Sequence, residues 1–486
     1  MSHSNLNKNN IFNSIATFTN LLFPIITFPY LTRVLGVDNI GKYNFSNSVV
    51  SYFSLIATLG ISSYAIRECA KIKSDRNEFN KLASDIFSID VFSTIIAYIL
   101  LLIAVFVSSK LKNYSLFIML LSTSFITDTL GASWVLNAVD DFKYLSLRTI
   151  LIHIVSLIGI FIFVKSDSHL YRYILILVFI NVGSSLASIF YRKKYVDIRF
   201  KLIPNIKKHL KKIVLLFSQT VSMLIYTNAD MIMLGYCYTD EIVGIYAIAV
   251  RVYNIVNGVI ASVIGVATPG LSYDYANKDY IGFNDKITYV VNYIVLLFIP
   301  AFVGMNIMAP EIIKLISGRF FAQGEVALRI LSFSLLFSLI SAVLGLAILF
   351  PMGYDRVNFN SCIISAITNI VLNIYFVPKF GIAGAAFTTA IAELSGFINK
   401  IKHIDRKISI YDFGGIFRKY LIGGVIVALI CFVSKYLIEN MNIRAIFAIL
   451  FSALAYFSYL LLIKDKFFLN LITPIRNKLF ADKNSN

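Results

Sequence analysis

Charged side chains are scarce in this sequence. Only 14% of its 486 residues are Asp, Glu, Lys or Arg, while 58% are hydrophobic. Ordinary soluble domains carry about a quarter charged residues, so a soluble chain of this length would lack the charge to cover its surface. Apolar runs of about 20 residues, the length that spans a bilayer, recur from end to end. The composition therefore predicts an all-α polytopic membrane protein without a separate soluble domain.

Residues that build metal, disulfide and catalytic sites are also few. The four cysteines are far apart and form no Cys-x-x-Cys pair, and the five histidines are equally scattered. This spacing disfavours a zinc site and a disulfide framework, so we expect no metal and no cofactor. A Gly-x-Ser-x-Gly motif is absent as well, and the sequence does not indicate an enzyme. Only Lys8 precedes the first apolar run, which is too long for a cleaved signal and is expected to be an uncleaved span.

Fourteen spans are predicted from the hydrophobic runs. They lie near 11–32, 43–66, 82–107, 114–138, 146–165, 170–191, 212–235, 243–271, 287–309, 325–350, 357–377, 382–399, 416–437 and 444–463. The predicted organisation is an N-lobe over 1–191, a basic linker over 192–212, a C-lobe over 213–404, two further spans within 405–463 and a tail over 464–486.

Lysine and arginine are distributed unevenly between the two sides of these spans. Of the 44 basic residues, 31 fall in the termini and every second loop, 11 fall in the other loops, and Arg251 and Arg329 lie within spans. Because cytoplasmic loops of membrane proteins are enriched in Lys and Arg, this asymmetry predicts that both termini are cytoplasmic. The net charge of +18 is then explained by contact with anionic lipid head groups, and we expect no nucleic-acid partner.

A motif occurs twice along the chain. Residues 35–43 read L-G-V-D-N-I-G-K-Y, and residues 234–246 read L-G-Y-C-Y-T-D-E-I-V-G-I-Y. Each copy places Leu-Gly at the end of one span, an acidic turn, and Gly-x-Tyr at the start of the next. Glycine permits a tight turn between adjacent helices. The copies lie six spans apart, which predicts a parallel duplication of two six-span lobes around a central site.

Polar residues follow each copy at helical spacing. Such a stripe is expected to face a partner helix or a water-filled cavity, because its burial in lipid is costly. The candidate cavity residues on these stripes and on the preceding spans are Asn47, Ser48, Ser51, Arg251, Asn254 and Asn257, with Asn20 and Gln219.

At these residues the chain resembles a known family. The run T-F-P-Y-L-T-R-V-L-G-V-D-N-I-G-K-Y-N-F-S, followed by L-G-I-S-S-Y-A-I-R-E, is similar to the opening of O-antigen flippases, the Wzx-type polysaccharide transporters of the MATE-like MOP superfamily. The segments N-A-D-M-I-M-L-G, E-I-V-G-I-Y-A-I-A-V-R and F-G-I-A-G-A-A-F-T-T-A are similar to later parts of the same family. The resemblance extends across the chain.

This resemblance implies a flippase for lipid-linked oligosaccharide. The implied cargo is an O-antigen-like repeat unit on undecaprenyl diphosphate, moved across the bacterial inner membrane by alternating access between two lobes. The implied partners are this substrate, membrane lipids and a polysaccharide polymerase complex. No cofactor is implied.

Charges inside spans need a reason, because each costs about 2.5–3.5 kcal/mol on insertion scales. Arg251 lies on a polar stripe, and a guanidinium suits the diphosphate or an acidic sugar because its planar fork donates two hydrogen bonds at once. The alternative is an arginine that pairs with a carboxylate and locks helices together. Arg329 is a further candidate for the cavity. The alternative is that it extends to the head groups, as arginines near the start of a span commonly do.

Four carboxylates lie within or near the ends of spans. Each is a candidate for coupling to an ion or for a static ion pair with a buried base. These residues are Asp90, Asp128, Asp230 and Glu393.

Three other functions stay open at this point. A cation-coupled MATE-type exporter of small molecules would need only twelve spans. A lipid II flippase would differ mainly in cavity arginines near the first two spans, which carry none at depth here. A membrane polysaccharide polymerase would be expected to have a large outer loop, whereas the longest outer loop predicted here lies near 309–324.

Overall fold

The computed structural model describes residues 3–202, 228–404 and 410–481, together with Pro204, His209, Ile213 and Ile408. Side chains are described from Thr19 to Thr473, except for Leu21 and the gaps between those ranges. Within these residues the regular structure is entirely helical and contains no strand. The prediction of an all-α polytopic membrane protein is therefore confirmed.

The described helices are numbered here in chain order. The first nine are α1 His3–Thr58, α2 Ile61–Lys71, α3 Arg76–Val107, α4 Ser109–Asn113, α5 Ser115–Gly131, α6 Trp134–Ala138, α7 Phe142–Phe163, α8 Leu170–Arg192 and α9 over 228–237. The others are α10 Asp240–Ala276, α11 Tyr280–Ile307, α12 Ala309–Ser317, α13 Gly324–Ala342, α14 Asp355–Ile401, α15 Phe413–Leu437, α16 Met441–Leu462 and α17 Lys466–Ala481. A π-helical segment, Val343–Leu349, continues α13.

Ten helical stretches in the described part of the chain are long and apolar enough to cross a membrane. Two of them hold two predicted spans each, because α1 is broken at Gly36 and α14 at Gly381, where the backbone takes positive φ values of 75° and 53°. The shorter apolar helix α5 matches a further predicted span. Thirteen of the fourteen predicted spans thus correspond to described helices. Most of the seventh, 212–235, lies outside the described residues.

Several spans expose apolar faces of the kind that bilayer lipid covers. On α7 the exposed side chains recur every three or four residues and include Leu151, Ile154, Ile158 and Ile162. On α3 the same pattern holds for Ile95, Ile99, Leu102 and Phe106. Because water would not favour such large apolar surfaces, these helices are membrane-spanning.

The chain divides into two compact units. The first unit comprises Met1–Ala247 with Ala366–Ala385, and the second comprises Ile248–Ser365 with Ala386–Asn486. The lobe boundaries predicted from the sequence stay a prediction.

The described part of the predicted linker is bound to the first unit. The strap, residues 197–201, lies along α3 and uses alternate backbone N–H groups: Asp197 donates to Asn80 at 2.8 Å, Arg199 to Ser84 at 3.0 Å and Lys201 to Ser88 at 2.8 Å. Two extended residues advance about 6.6 Å and one helical turn advances about 5.4 Å, so alternate strap residues meet successive turns of α3. The strap, which is the described part of the predicted linker, is therefore fixed to the first unit by these three hydrogen bonds.

In the second unit, one buried carboxylate binds the two C-terminal spans. Glu311 on α12 is 2% exposed and accepts a hydrogen bond of 3.0 Å from Arg444 on α16. Lys435 on α15 lies 3.9 Å from the same carboxylate and donates to the carbonyl of Ile307 at 2.6 Å. Because a buried charge is stable only when paired, Glu311 fixes α15 and α16 to the rest of this unit.

The two copies of the repeated motif touch each other through their glycines in the first unit. A Cβ atom built on Gly41 would lie 1.8 Å from the carbonyl oxygen of Asp240, and one built on Gly244 would lie 2.2 Å from that of Val37. Asp240 and Val37 each precede the glycine of their own copy by four residues, so the contact is reciprocal. Only glycine allows backbones to approach this closely, which explains the Gly-x-Tyr signature in both copies.

We expect Gly41→Ala and Gly244→Ala to destabilise the protein by about 1–3 kcal/mol, the usual cost of forcing atoms into packed space. Each new methyl group would meet backbone atoms, which cannot rotate away as a side chain can. The thermal midpoint of the full-length protein in detergent measures the effect.

Gly183→Ala on α8 is the matched control, since a Cβ there has nothing within 4 Å. We expect that control to be neutral or slightly stabilising, by up to about 1 kcal/mol. Equal midpoints for all three variants would contradict the close-approach interpretation.

Candidate functional site

A buried carboxylate in the first unit accepts hydrogen bonds from three other side chains. Asp230 on α9 is 3% exposed. Its Oδ1 atom accepts from the side-chain amides of Asn369 at 3.1 Å and Asn373 at 2.7 Å, and its Oδ2 atom accepts from the Tyr246 hydroxyl at 2.6 Å. We call these four residues the Asp230 cluster.

The local sequence explains how the donors converge. Asn369 and Asn373 are four residues apart on α14, so they share one face of the helix, and Asn373 also donates to Asn369 Oδ1 at 3.1 Å. Tyr246 follows Gly244 by two residues, so the glycine contact positions its helix. Hydrogen bonds to a charged group contribute about 1.5–3 kcal/mol each, which offsets the cost of burying the carboxylate.

Sequence reasoning singled out Asp230 but missed its three partners. The signal for the asparagines was N-I-V-L-N over 369–373, two amides at helical spacing inside an apolar span. The signal for Tyr246 was its place in the Gly-x-Tyr motif. Neither signal indicates which carboxylate the side chains would bind.

The predicted stripe after the first motif lies on α1. Ser48 is buried, Asn47 and Ser51 are half-buried, and the Ser51 hydroxyl donates to the Asn47 carbonyl at 2.7 Å. Asn20 is exposed on the same helix, and Gln219 lies outside the described residues. The structure thus places the stripe on one unit and leaves its role as a cavity lining a prediction.

Asp90 on α3 and Asp128 on α5 lie close enough to interact electrostatically. Asp90 is 6% exposed, whereas Asp128 is exposed. Neither carboxylate forms an ion pair with any lysine or arginine that the structure describes. The static ion pair considered for these acids in the sequence analysis is therefore not formed with any described lysine or arginine, and their role in ion coupling stays a prediction.

The second stripe lies on α10 in the second unit. Arg251 and Asn257 are half-buried and Asn254 is exposed, while the Asn257 amide lies 3.4 Å from the Ser338 hydroxyl of α13. Glu393 on α14 is 8% exposed and acts electrostatically on Tyr253 of α10. This unit therefore brings one predicted acid to the helix that carries Arg251.

Arg329 takes the position expected of a head-group arginine. It lies one turn into α13, is exposed and is 3.8 Å from Glu325 on the preceding turn. An exposed pair of this kind contributes about 0–1 kcal/mol. The role of Arg329 as a cavity residue stays a prediction.

A buried lysine in the second unit was missed by the sequence analysis, which assigned it to a loop. Lys400 is 9% exposed and donates to the carbonyl and hydroxyl oxygens of Ser341 at 3.0 and 2.8 Å. Ser341 lies two residues before the π-helical segment Val343–Leu349, and π-helical segments often occur at functional sites. Asn358 binds the same segment through the Gly345 carbonyl at 2.9 Å. These contacts explain how the cation is accommodated.

The described residues were compared with the ligand sets that hold metal ions in proteins. No group of three or more His, Cys, Asp and Glu side chains is placed to hold an ion there. The Asp230 cluster supplies one carboxylate with amide and phenol groups.

Comparison with known proteins gives a consistent result. A family model described as "Polysaccharide biosynthesis protein" matches residues 6–273. The "Putative O-antigen transporter" of Escherichia coli (strain K12) is 23% identical, over 55% of this chain and 65% of that protein, so the chain spans just under two thirds of this relative. The protein of the same description from Shigella dysenteriae is 24% identical, over 77% of this chain and 94% of that protein.

Among solved structures, "Lipid II flippase MurJ, inward closed conformation" has a TM-score of 0.73. It is 21% identical in sequence and aligns with 95% of this chain and 100% of that chain. At this identity the similarity shows a shared fold.

We expect Asp230→Asn to lower the thermal midpoint substantially, because the charge is lost and an NH2 group, which only donates, replaces one of the two accepting oxygens. The expected loss is about 1.5–3 kcal/mol for each charged hydrogen bond left unmade. Thermal unfolding of the full-length protein in detergent measures it. Asp38→Asn is the matched control, since Asp38 is an exposed carboxylate of the same unit. A midpoint for Asp230→Asn equal to that of the control would rule out a structural role for the cluster.

Proposed function

Because the chain belongs to the polysaccharide biosynthesis protein family, we propose that it is a flippase for lipid-linked oligosaccharide. The cargo is a repeat unit of an O-antigen or similar polysaccharide on undecaprenyl diphosphate. Transport across the bacterial inner membrane proceeds by alternating access. The observation that carries this proposal is the family match over more than half of the chain.

Two further observations support the proposal. The relatives described as O-antigen transporters include one that aligns with 94% of its own length. The fold is shared with a protein described as a lipid II flippase. These proteins are described as transporters, and the proposal contains no catalytic step.

Arg251 is proposed to bind the diphosphate or an acidic sugar of the cargo. A guanidinium that is half-buried on a polar helix face offers a bidentate fork to a phosphate group. The other residues proposed to line the cavity are Asn20, Asn47, Ser48, Ser51, Gln219, Asn254, Asn257 and Arg329. The residues proposed for ion coupling or static pairing are Asp90, Asp128, Asp230 and Glu393.

We also propose that both termini are cytoplasmic and that the flippase acts beside a polysaccharide polymerase. The orientation rests on the split of basic residues between alternate loops. The strap supports it, since a basic segment bound to α3 is suited to the side that faces anionic lipid.

A lipid II flippase is the second candidate, because the structural similarity is to such a protein. The two functions differ in the sugar carried. The chain is therefore expressed in two bacterial strains, one without its lipid II flippase and one without its O-antigen flippase. The strain whose defect is corrected identifies the function. Rescue of neither strain would favour the cation-coupled exporter of small molecules.

Expression in a bacterial strain without its own O-antigen flippase is expected to restore surface polysaccharide. We expect Arg251→Ala to reduce export at least tenfold at equal protein level, because the diphosphate loses its bidentate partner. Surface polymer and the leaflet of the lipid-linked repeat units are both measured.

Arg319→Ala is the control for this variant, since Arg319 is an exposed arginine of the same unit and is expected to leave export unchanged. Wild-type export by Arg251→Ala would eliminate the proposed cargo contact. Absence of polymer with the wild-type chain folded in the membrane, across several donor sugars, would contradict the flippase proposal itself.

Reporter fusions test the orientation. A fusion after residue 194 or 199 is expected to give green fluorescence and no alkaline phosphatase activity, because the basic linker stays in the cytoplasm. A fusion near residue 439, between α15 and α16, is expected to give the opposite result. Phosphatase activity at the linker would reverse the proposed topology.

A further inference from the structure

Arg148 and Arg192 differ from the other basic residues around them in the first unit. Some nearby cations are paired with carboxylates, as Lys73 is with Asp140 and Lys201 with Asp85, and the lysines that follow Arg192 are exposed. Arg148 and Arg192 are half-buried, yet neither forms an ion pair with a carboxylate in the described ranges. A partly buried positive charge without an anion is unfavourable, so these two side chains favour the binding of an anion.

Arg148 on α7 is held by serines. Its Nη1 atom donates to the Ser188 hydroxyl of α8 and lies 3.4 Å from the Ser184 carbonyl oxygen and 3.5 Å from the Ser133 hydroxyl. Its Nε atom is buried and has no hydrogen-bond partner among the described residues. The serines orient the guanidinium but leave its charge uncompensated.

Arg192 lies one helical turn after Ser188 on α8, on the same face. Its guanidinium carbon is 5.7 Å from the centre of the Phe87 ring, and its Nη1 atom is buried without a hydrogen-bond partner in the described part of the chain. The aromatic face stabilises the cation by about 0.5–1 kcal/mol. That contact leaves the hydrogen-bonding capacity of the fork unused.

A third unused donor belongs to the same region. Trp134 follows Ser133 directly and packs in one apolar cluster with Phe87. The indole is 3% exposed, and its Nε1–H has no partner in the described part of the chain. Buried N–H groups are rarely left unpaired, because each costs about 1–3 kcal/mol. Ser133, next to Trp134, lies 3.2 Å from Ser188, which binds Arg148 and precedes Arg192 by one turn. Three unpaired donors thus lie on neighbouring helices, and two of them belong to cations.

The carboxylate that caps α7 is already engaged. Asp141 accepts from the hydroxyls of Tyr191 and Tyr195 at 2.9 and 2.6 Å and from the backbone N–H of Tyr144 at 3.2 Å. Burial raises the pKa of this carboxyl, but these hydrogen bonds and nearby Lys194 outweigh it and lower the pKa below its ordinary value. Asp141 is thus committed as an anion to other partners.

We propose that Arg148, Arg192 and the Trp134 indole form a binding site for a phosphate group, carried by a lipid headgroup or free in solution. Phosphate oxygens accept bidentate hydrogen bonds from a guanidinium group, and a further phosphate oxygen accepts a hydrogen bond from the indole N–H. The site lies at the end of the first unit where the strap begins. It does not depend on the transport proposal, since no residue assigned there belongs to it.

The chain offers a direct probe, because Trp134 is its single tryptophan. The full-length protein in dodecyl maltoside, a detergent without phosphate, is titrated with inorganic pyrophosphate, farnesyl diphosphate or phosphatidylglycerol. Chloride at matched ionic strength and farnesol serve as blanks. We expect a saturable change in Trp134 emission with at least one phosphate probe and none with the blanks.

Arg192→Gln and Arg148→Gln are expected to weaken the titration at least tenfold. The Arg192 side chain makes no hydrogen bond with described residues, so its substitution leaves the side-chain hydrogen bonds of the described protein intact. Arg148→Lys keeps the charge without the fork and is expected to give an intermediate affinity. Arg199→Gln is the matched control, because Arg199 is exposed and pairs with Asp197, and it is expected to match wild type.

The pattern of probes identifies the source of the phosphate. Saturation by farnesyl diphosphate or phosphatidylglycerol, but not pyrophosphate, assigns the site to a lipid headgroup, whereas equal saturation by pyrophosphate assigns it to phosphate in general. Wild-type emission unchanged by all three probes would overturn the proposal. So would titrations of Arg192→Gln and Arg148→Lys that both match wild type.

Discussion

The reciprocal contact of Gly41 and Gly244 is the constraint on which the first unit depends. Two backbones meet where each lacks a side chain, and each glycine faces the carbonyl of the residue four positions before the other. No larger residue permits this approach, so the start of α10 is held against α1 without adjustable side chains between them. Tyr246, two residues after Gly244, is thereby fixed where its hydroxyl binds Asp230. A packing feature of the repeat thus positions a polar cluster.

The second organising principle is that polar groups within the bilayer must find partners. Asp230 is surrounded by two amides and a phenol, Lys400 binds the backbone exposed before the π-helical segment, and Glu311 binds Arg444. Each group illustrates a different way to offset the cost of burial. Arg148 and Arg192 each keep one buried N–H whose acceptor is not among the described protein groups. This difference from the fully paired charges is the basis of the phosphate site proposed for the two arginines.

Much of the architecture could be predicted from the chain alone. The spans followed from hydrophobic length, because a helix needs about 20 apolar residues to cross a bilayer and must satisfy its own backbone. The break at Gly36 followed from the Leu-Gly motif, where positive φ requires glycine. The family followed from the same motif and its neighbours. The contact between the two motif glycines did not follow, because similarity between segments contains no information that they touch.

The sequence by itself determined the helices, the membrane class, the repeat and the family, since these depend on composition and on spacing within short segments. Tertiary structure alone decided which polar residues meet. Asp230 and Asn369 are 139 residues apart, and Arg148 and Ser188 belong to different helices. Hydrophobic periodicity gives a helix its apolar face but leaves open which neighbour that face will contact. The partners of buried polar groups are therefore set by helix packing, which no local pattern encodes.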